Sequence, residues 1–262
     1  MTKLAVQENL IPGAAILDQW ATVAALGYDG IELRGSGDAA FLERLPALRE
    51  AVRHGAKFPS ICSILPGVYV GSLDVAGRRE ALARLKVLLS AAAELGARGV
   101  VAPASFGIYP IPRTVAWPRT PEEDTKILTD GYAELASHAR SAGVEIWIEP
   151  LNRYEDHMVN RLEQAVAICE AIGLPSVGLI GDLFHMGIEE SDVPLALVSS
   201  QRWLRHVHGA DNTRFEPGSG QTDFSAIRRS LESIGYAGVV ALECRLTGDP
   251  LQALRRARAA LP

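Results

Sequence analysis

Eight short apolar runs recur along the chain, and each is followed by a longer segment whose apolar residues lie three and four positions apart. Runs that are apolar throughout are typical of strands buried on both faces of a parallel sheet. The predicted strands are Leu4–Gln7, Gly30–Leu33, Phe58–Ile61, Gly99–Ala102, Val144–Glu149, Val177–Gly181, Leu204–His208 and Val239–Glu243.

The segments between these runs carry helix start and stop signals. Thr120-Pro121-Glu122-Glu123 predicts a helix start, because threonine can cap a helix and proline suits its first position. Six segments end at a glycine just before the next strand, namely Gly27, Gly55, Gly96, Gly143, Gly173 and Gly235.

Eight strand–helix units in 262 residues predict one (β/α)8 barrel over residues 1–262, since such barrels run to about 250 residues as a single domain. A doubly wound sheet is the rival architecture. It is disfavoured because no GxGxxG follows the first strand and because the strand count reaches eight.

Composition narrows the class of protein. A net charge of −5 argues against a protein that binds nucleic acid through the phosphate backbone. The three cysteines form no CxxC pair, which suits a reducing compartment. Neither a signal peptide nor an uncharged apolar run of about 18 residues is found, so we expect a soluble cytoplasmic protein that does not insert in membranes.

Four late strands each end in a side chain that can bind a metal ion. They are Glu149, Asp182, His208 and Glu243, on strands five to eight in that order. The carboxyl ends of barrel strands meet at one mouth, so we expect the four side chains to converge there. A shared cation would neutralise the three carboxylates, and an oxygen-rich set suits Mn²⁺, Mg²⁺ or Co²⁺ more than structural zinc.

The longer motifs around these four residues resemble a known family. The motifs are IEPLNRYEDHMVNRLEQA (148–165), GDLFHMGIEE (181–190), HVHGADNTRFEPGSGQTDF (206–224) and ALEC (241–244). Together they resemble the xylose-isomerase-like TIM-barrel superfamily of sugar isomerases and epimerases. Within it they are most similar to the D-tagatose/D-allulose and L-ribulose 3-epimerase group.

The resemblance implies roles for individual residues. Glu149, Asp182, His208 and Glu243 would hold one divalent cation, most simply Mn²⁺, and both glutamates would double as the acid/base pair. Glu155, His185 and Arg214 would bind the hydroxyls and the carbonyl of a sugar. Relatives are commonly dimers or tetramers, so the resemblance also implies a homo-oligomer.

The implied chemistry is proton removal next to a carbonyl. The resulting cis-enediolate is stabilised by a cation near both oxygens. Return of the proton to the opposite face of C3 gives ketose 3-epimerisation, the reaction that we expect. Two other reactions on the same scaffold stay open: aldose–ketose isomerisation of the hydroxypyruvate- or xylose-isomerase kind, and dehydration of a keto-inositol. A DNA-repair endonuclease is disfavoured by the acidic net charge and by only six histidines, and a non-catalytic sugar- or metal-binding barrel is disfavoured by the two retained glutamates.

Other features have weaker assignments. Glu32 and Arg34 are expected to take part in a buried ion pair across the barrel, with substrate contact as the second reading. The irregular stretch Ser105–Arg119 is typical of a lid or binding loop. The glycine-rich stretch Glu216–Asp223 is expected to be a turn whose amides can meet an anion. Candidates for closing over the sugar are Gln7, Glu8, Cys62, Phe106 and Trp117.

The sequence gives little sign of a phosphorylated substrate. Its four lysines do not stand at strand ends, so a phosphate would depend on backbone amides or on arginines. This favours an uncharged sugar. The arginines in question are Arg34, Arg113, Arg153 and Arg214.

Overall fold

The computed structural model describes residues 2–107 and 118–261, in which eight parallel strands close into a barrel in chain order. The strands are β1 (Lys3–Gln7), β2 (Gly30–Gly35), β3 (Ser60–Ser63), β4 (Gly99–Pro103), β5 (Glu145–Glu149), β6 (Val177–Asp182), β7 (Leu204–Gly209) and β8 (Val239–Leu242). The predicted barrel is confirmed, and every strand end lies within two residues of its predicted position.

Helices cover the outside of the barrel. They are α1 (Ile16–Ala25), α2 (Ala39–Arg53), α3 (Val75–Leu95), α4 (Pro121–Ala142), α5 (Leu162–Ile172), α6 (Leu183–Glu189), α7 (Val193–Ser199), α8 (Phe224–Ser233) and α9 (Pro250–Ala260), with a 3-10 turn at Glu8–Leu10. Within the described ranges, no helix is both long and apolar enough to cross a membrane.

The predicted helix boundaries hold. Thr120 and Glu123 form a reciprocal capping box at the start of α4. All six predicted stop glycines have positive φ, and at Gly96 the value of 74° lets its N–H reach the carbonyl of Ala92. Strand β3 begins two residues later than predicted, because Pro59 has no N–H to give to the ladder.

Two separate apolar clusters flank the sheet. The large one lies between the strands and the surrounding helices. The small one consists of Val101, Trp147 and Ile180. Since side chains two positions apart on a strand share a face, Trp147 and Ile180 lie on the same face as Glu149 and Asp182. The small cluster therefore fills the barrel interior directly beneath the candidate site.

The predicted binding loop Ser105–Arg119 is described only at its two ends, and Trp117 and Arg113 lie outside the described residues. At one end the hydroxyl of Ser105 donates to the buried carboxylate of Asp156. At the other end Arg119 donates 2.7 Å to the carbonyl of Gly71. Both ends are thus fixed to the barrel rim.

Candidate active site

The four strand-end residues come together at the carboxyl mouth of the barrel. One ligand atom from each of Glu149, Asp182, His208 and Glu243 lies within 4.8 Å of the corresponding atoms of the other three. The register explains this convergence, because Asp182 is paired with His208 on the neighbouring strand and Glu243 follows Ala241, the β8 partner of His208, by two residues.

The donor set fits a hard divalent cation. His208 Nδ1 lies 3.3 Å from Glu149 Oε1, 3.1 Å from Glu243 Oε2 and 3.8 Å from Asp182 Oδ2. Both Glu149 Oε1 and His208 Nδ1 are buried, and neither has a hydrogen-bond partner among the described residues. Buried polar atoms rarely go without a partner, so a cation that these atoms share is the simplest account of them.

The two glutamates differ in their tendency to hold a proton. Burial raises the pKa of Glu149, and the nearby charges of Glu243 and Asp182 raise it as well. Burial acts in the same direction on Glu243, but the attraction of His208 and Arg214 outweighs it and lowers the pKa of Glu243. Two neighbouring carboxyl groups with pKa values shifted in opposite directions, here Glu149 and Glu243, are typical of acid/base catalysis.

A second polar layer lies beneath His208. The Nε2 atom of His208 is 2.9 Å from Glu32 Oε1, and the Nε2 atom of His206 is 2.8 Å from Glu32 Oε2. Gln7 and Ser60 also donate to the two oxygens of Glu32, at 3.0 and 2.7 Å. Glu32 is fully buried, so its carboxylate holds the far side of His208 and leaves Nδ1 facing the other three ligands.

The expectation of a buried ion pair at the end of β2 is confirmed for Glu32 and wrong for Arg34. Glu32 does make a buried contact across the barrel, but its partners are the histidines of β7. Arg34, expected to share in such a pair, forms no ion pair within the described part of the chain and instead lines the cavity above the site. Arg34 follows Glu32 by two positions at the rim, beyond the reach of the interior histidines.

His185, Arg214 and Glu155 line one cavity together with Glu149 and Glu243. The cavity has a volume of about 350 Å³. Arg214 donates to Asp182 Oδ2 at 3.0 Å and to Glu243 Oε2 at 2.9 Å. It is also the only described residue other than glycine with positive φ (62°), which is the kind of strain found at functional sites.

Asn152 is a residue of this site to which the sequence analysis gave no role. Its backbone N–H donates to His185 Nδ1 at 3.1 Å, and its side-chain amide donates to Glu155 Oε1, also at 3.1 Å. The side-chain amide of Asn152 also lies 2.7 Å from His185 Nδ1, and Arg214 Nη1 lies 3.2 Å from His185 Nε2, so both ring nitrogens have polar neighbours. The residue stands inside the motif IEPLNRYE, but nothing in that string indicates that it orients two other side chains.

The remaining first-half candidates differ in position. Cys62 and Phe106 line the cavity, and Cys62 Sγ lies 3.8 Å from Glu243 Oε1. Burial keeps the pKa of the Cys62 thiol well above its usual range, which opposes a nucleophilic role. Gln7 donates 3.0 Å to Glu243 from below. Glu8 instead pairs with Arg44 outside the cavity.

The glycine-rich stretch Glu216–Asp223 does meet an anion, and the anion belongs to the chain itself. The carboxylate of Asp211 accepts hydrogen bonds from the backbone N–H groups of Gly218, Gly220 and Thr222 at 2.8–3.0 Å. Its backbone carbonyl accepts from Arg214 N at 2.9 Å. The loop amides are therefore engaged, and through Asp211 they hold the neighbouring turn Asp211–Phe215, which carries Arg214.

Comparisons with known proteins agree with this architecture. The model of the family described as "Xylose isomerase-like TIM barrel" matches residues 20–261. A 3-dehydro-D-guloside 4-epimerase from Escherichia coli (strain K12) is 33% identical over 97% of this chain and 96% of its own length. The crystal structure of a 3-keto-D-glucoside 4-epimerase from E. coli superposes with a TM-score of 0.92 at 32% identity, covering 99% of this chain and 98% of the other. An L-ribulose 3-epimerase structure has a TM-score of 0.86 at 25% identity, covering 99% and 93%. The chain thus belongs to the xylose isomerase-like TIM barrel family and is a sugar epimerase, an enzyme of the isomerase class.

Proposed function

We propose that the protein is a divalent-metal-dependent ketose epimerase that inverts the carbon next to the ketone through a cis-enediolate. The observation that carries this proposal is the placement of Glu149, at the end of β5, and Glu243, just after β8, whose carboxylate oxygens lie 3.3 and 3.1 Å from His208 Nδ1. A cation held by these residues with Asp182 would stabilise the negative charge that develops on the substrate oxygens. Three carboxylates and one imidazole favour Mn²⁺ as that cation, with Mg²⁺ or Co²⁺ as replacements.

The protein's own residues divide the work as follows. One glutamate removes the proton from one face of the sugar, and the other returns a proton to the opposite face. Arg214 and His185 form hydrogen bonds with substrate oxygens, and Glu155 accepts one from a hydroxyl. Asn152 keeps His185 and Glu155 in place through its two hydrogen bonds.

The inverted carbon depends on where the ketone stands. On a 2-ketose it is C3, which is the reaction of the L-ribulose 3-epimerase. A second candidate is inversion at C4 of a 3-keto glycoside, and it is favoured by the 4-epimerase that is 33% identical over 97% of the chain. Both reactions move a proton at the carbon adjacent to the ketone, so they demand the same set of residues.

The test is proton exchange in D₂O. Metal-stripped protein is reloaded with Mn²⁺, given free 2-ketoses and 3-keto glycosides, and analysed by NMR at each carbon. Deuterium at C3 with a new epimer identifies ketose 3-epimerisation, and deuterium at C4 of the glycoside identifies the second candidate. Label at C1 or C2 with formation of an aldose identifies an isomerase, and water loss from a keto-inositol identifies a dehydratase.

Two variants and a control test the acid/base assignment. Glu149→Gln and Glu243→Gln are each expected to abolish epimer formation. Glu145→Gln is the matched control, because Glu145 begins the same strand at its other end and contacts Arg98, Arg205 and Trp147. Full turnover after loss of Glu149 or Glu243, or a wild-type protein that binds no divalent metal, would refute the proposal.

A further inference from the structure

The two sides of the substrate cavity differ in how their polar groups are satisfied. On the side of β5 to β8, Arg214 is paired with Asp182 and Glu243, and His185 accepts from Asn152, while the unpartnered Glu149 Oε1 and His208 Nδ1 belong to the candidate metal site. On the side of β2 and β3, Arg34 and Ser63 face the same cavity. There, Arg34 Nε and Ser63 Oγ are buried without a hydrogen-bond partner in residues 2–107 and 118–261.

Arg34 and Ser63 lie at the ends of two paired strands, one register position apart, and both line the cavity. Gly35 is the register partner of Ser63, and Arg34 is the partner of Cys62. The carboxylate of Glu8 contacts Arg34 only through the backbone, since it accepts a hydrogen bond from the Arg34 N–H at 2.7 Å. Its ion-pair partner is Arg44. The Arg34 guanidinium therefore has no carboxylate within ion-pair distance in the described part of the chain.

The other arginines considered for an anionic substrate group are already engaged or lie elsewhere. Arg153 is paired with Glu189 and is exposed outside the cavity. Arg214 is neutralised by two carboxylates of the metal site. Arg113 lies outside the described residues. Arg34 is thus the cation of the described cavity wall whose charge the described chain does not balance.

We propose that Arg34 and Ser63 form a subsite for an oxyanionic group of the substrate, a carboxylate or a phosphate ester, remote from the reacting carbon. A guanidinium can donate two parallel hydrogen bonds to such a group, and the serine hydroxyl can donate a third. A neutral hydroxyl would satisfy the N–H groups but would leave the charge unbalanced. Arg34 also lines an adjoining open groove with Ser36 and Arg44, which gives the charged substituent room to extend.

This proposal rests on the proposed function in taking the cavity as the sugar site. It differs from the expectation of an uncharged sugar, which was based on the lack of lysines at strand ends. The positive charge that would bind the anionic group belongs instead to Arg34 of β2.

The experiment compares three sugars with one carbon skeleton: D-fructose, D-fructose 6-phosphate and D-fructuronate. Exchange in D₂O gives kcat and KM for each, and calorimetry with inorganic phosphate and D-glucuronate measures anion binding without turnover. We expect a KM at least tenfold lower for one anionic sugar than for D-fructose. The anion that gains identifies the group as phosphate or carboxylate.

Three variants locate the effect. Arg34→Gln is expected to raise the KM of the preferred anionic sugar at least tenfold, with kcat and the KM of D-fructose unchanged within about threefold. Ser63→Ala should give a smaller rise, and Arg34→Lys should restore part of the loss. Arg153→Gln is the matched control, since Arg153 is paired with Glu189 and lies outside the substrate cavity and the adjoining groove.

The outcomes separate this inference from the proposed function. Because the Arg34 side chain has no partner in the described chain, Arg34→Gln should leave the melting temperature unchanged, whereas a structural role would lower it. Equal use of neutral and anionic sugars, or anion binding unaffected by Arg34→Gln, overturns the subsite while epimerisation stands. Anion binding that is lost in Arg34→Gln, with exchange neither on these sugars nor on 3-keto glycosides, supports the subsite and refutes the proposed function.

Discussion

Replacement of Glu32 by glutamine is expected to weaken metal binding although Glu32 is not one of the four residues at the ends of β5 to β8 that we propose as ligands. Its two oxygens accept hydrogen bonds from Gln7 and Ser60 and lie 2.8 and 2.9 Å from the Nε2 atoms of His206 and His208. Glutamine offers one accepting oxygen and one donating NH₂, so at least one imidazole would face a donor instead of an acceptor. If that imidazole is His208, its Nδ1 no longer points steadily toward the cation.

The size of the effect follows from the burial of the contact. His208 and Glu32 are both fully buried, and the 2.9 Å separation leaves no room for water to replace the carboxylate. Loss of such a partner of a metal-binding histidine typically costs 10- to 100-fold in metal affinity, which corresponds to about 1.4–2.7 kcal/mol. Calorimetric titration of metal-stripped protein with Mn²⁺ measures this change directly.

Two further variants separate orientation from charge. Glu32→Asp keeps the negative charge but is one methylene shorter, so it should also weaken Mn²⁺ binding if position matters. Ser60→Ala removes a donor to Oε2 and leaves the Oε1 contact with His208 intact, so it should change Mn²⁺ affinity by less than about threefold. Wild-type affinity in Glu32→Gln would refute the reasoning, and wild-type affinity in Glu32→Asp alone would show that charge acts without orientation.

Three other substitutions and one measurement of oligomeric state have defined expected outcomes. Asn152→Ala should lower kcat/KM about thirtyfold, because the contacts of its side-chain amide with Glu155 Oε1 and His185 Nδ1, about 1 kcal/mol each, are lost, while Mn²⁺ affinity by calorimetry stays constant; an unchanged kcat/KM would contradict its positioning role. Gly220→Ala should cost about 1–3 kcal/mol in urea unfolding, since a Cβ would lie 2.5 Å from Asp211 Oδ1; Gly187→Ala, with open space around it, is the control. Thr120→Ala should cost about 1 kcal/mol by loss of the α4 capping box, and no shift of the urea midpoint would show that the cap is dispensable. Sedimentation equilibrium should find a dimer or tetramer, and a monomer at micromolar concentration would contradict that expectation.

The fold was predictable because its signals are local. Each strand is a short apolar run, and each of the six predicted stop glycines occupies a conformation that costs other residues energy. The convergence of Glu149, Asp182, His208 and Glu243 was predictable from strand order alone, since parallel strands end at one mouth.

Contacts across the barrel were less accessible from the sequence. The partners of Glu32 depend on how far the strands are sheared around the barrel, which no single segment encodes. The anion bound by the glycine-rich turn could not be predicted either. The glycines indicate that backbone N–H groups are accessible, but they do not indicate which carboxylate will accept hydrogen bonds from them. Asp211 stands five residues before Glu216, where the turn begins, and reads in the sequence as an ordinary loop residue.

The carboxylate of Asp211 has a consequence for how the active site meets its substrate. In a protein whose loop becomes ordered only on binding an anionic ligand, part of the binding free energy is lost to the conformational entropy of ordering that loop. Here the chain supplies that anion, so the turn is ordered during folding, and Arg214 is presented on a rigid support before any sugar enters. Amide hydrogen exchange at Gly218 and Gly220 should accordingly be as slow in the free protein as in the sugar complex. Any closure over the sugar must then come from another part of the mouth.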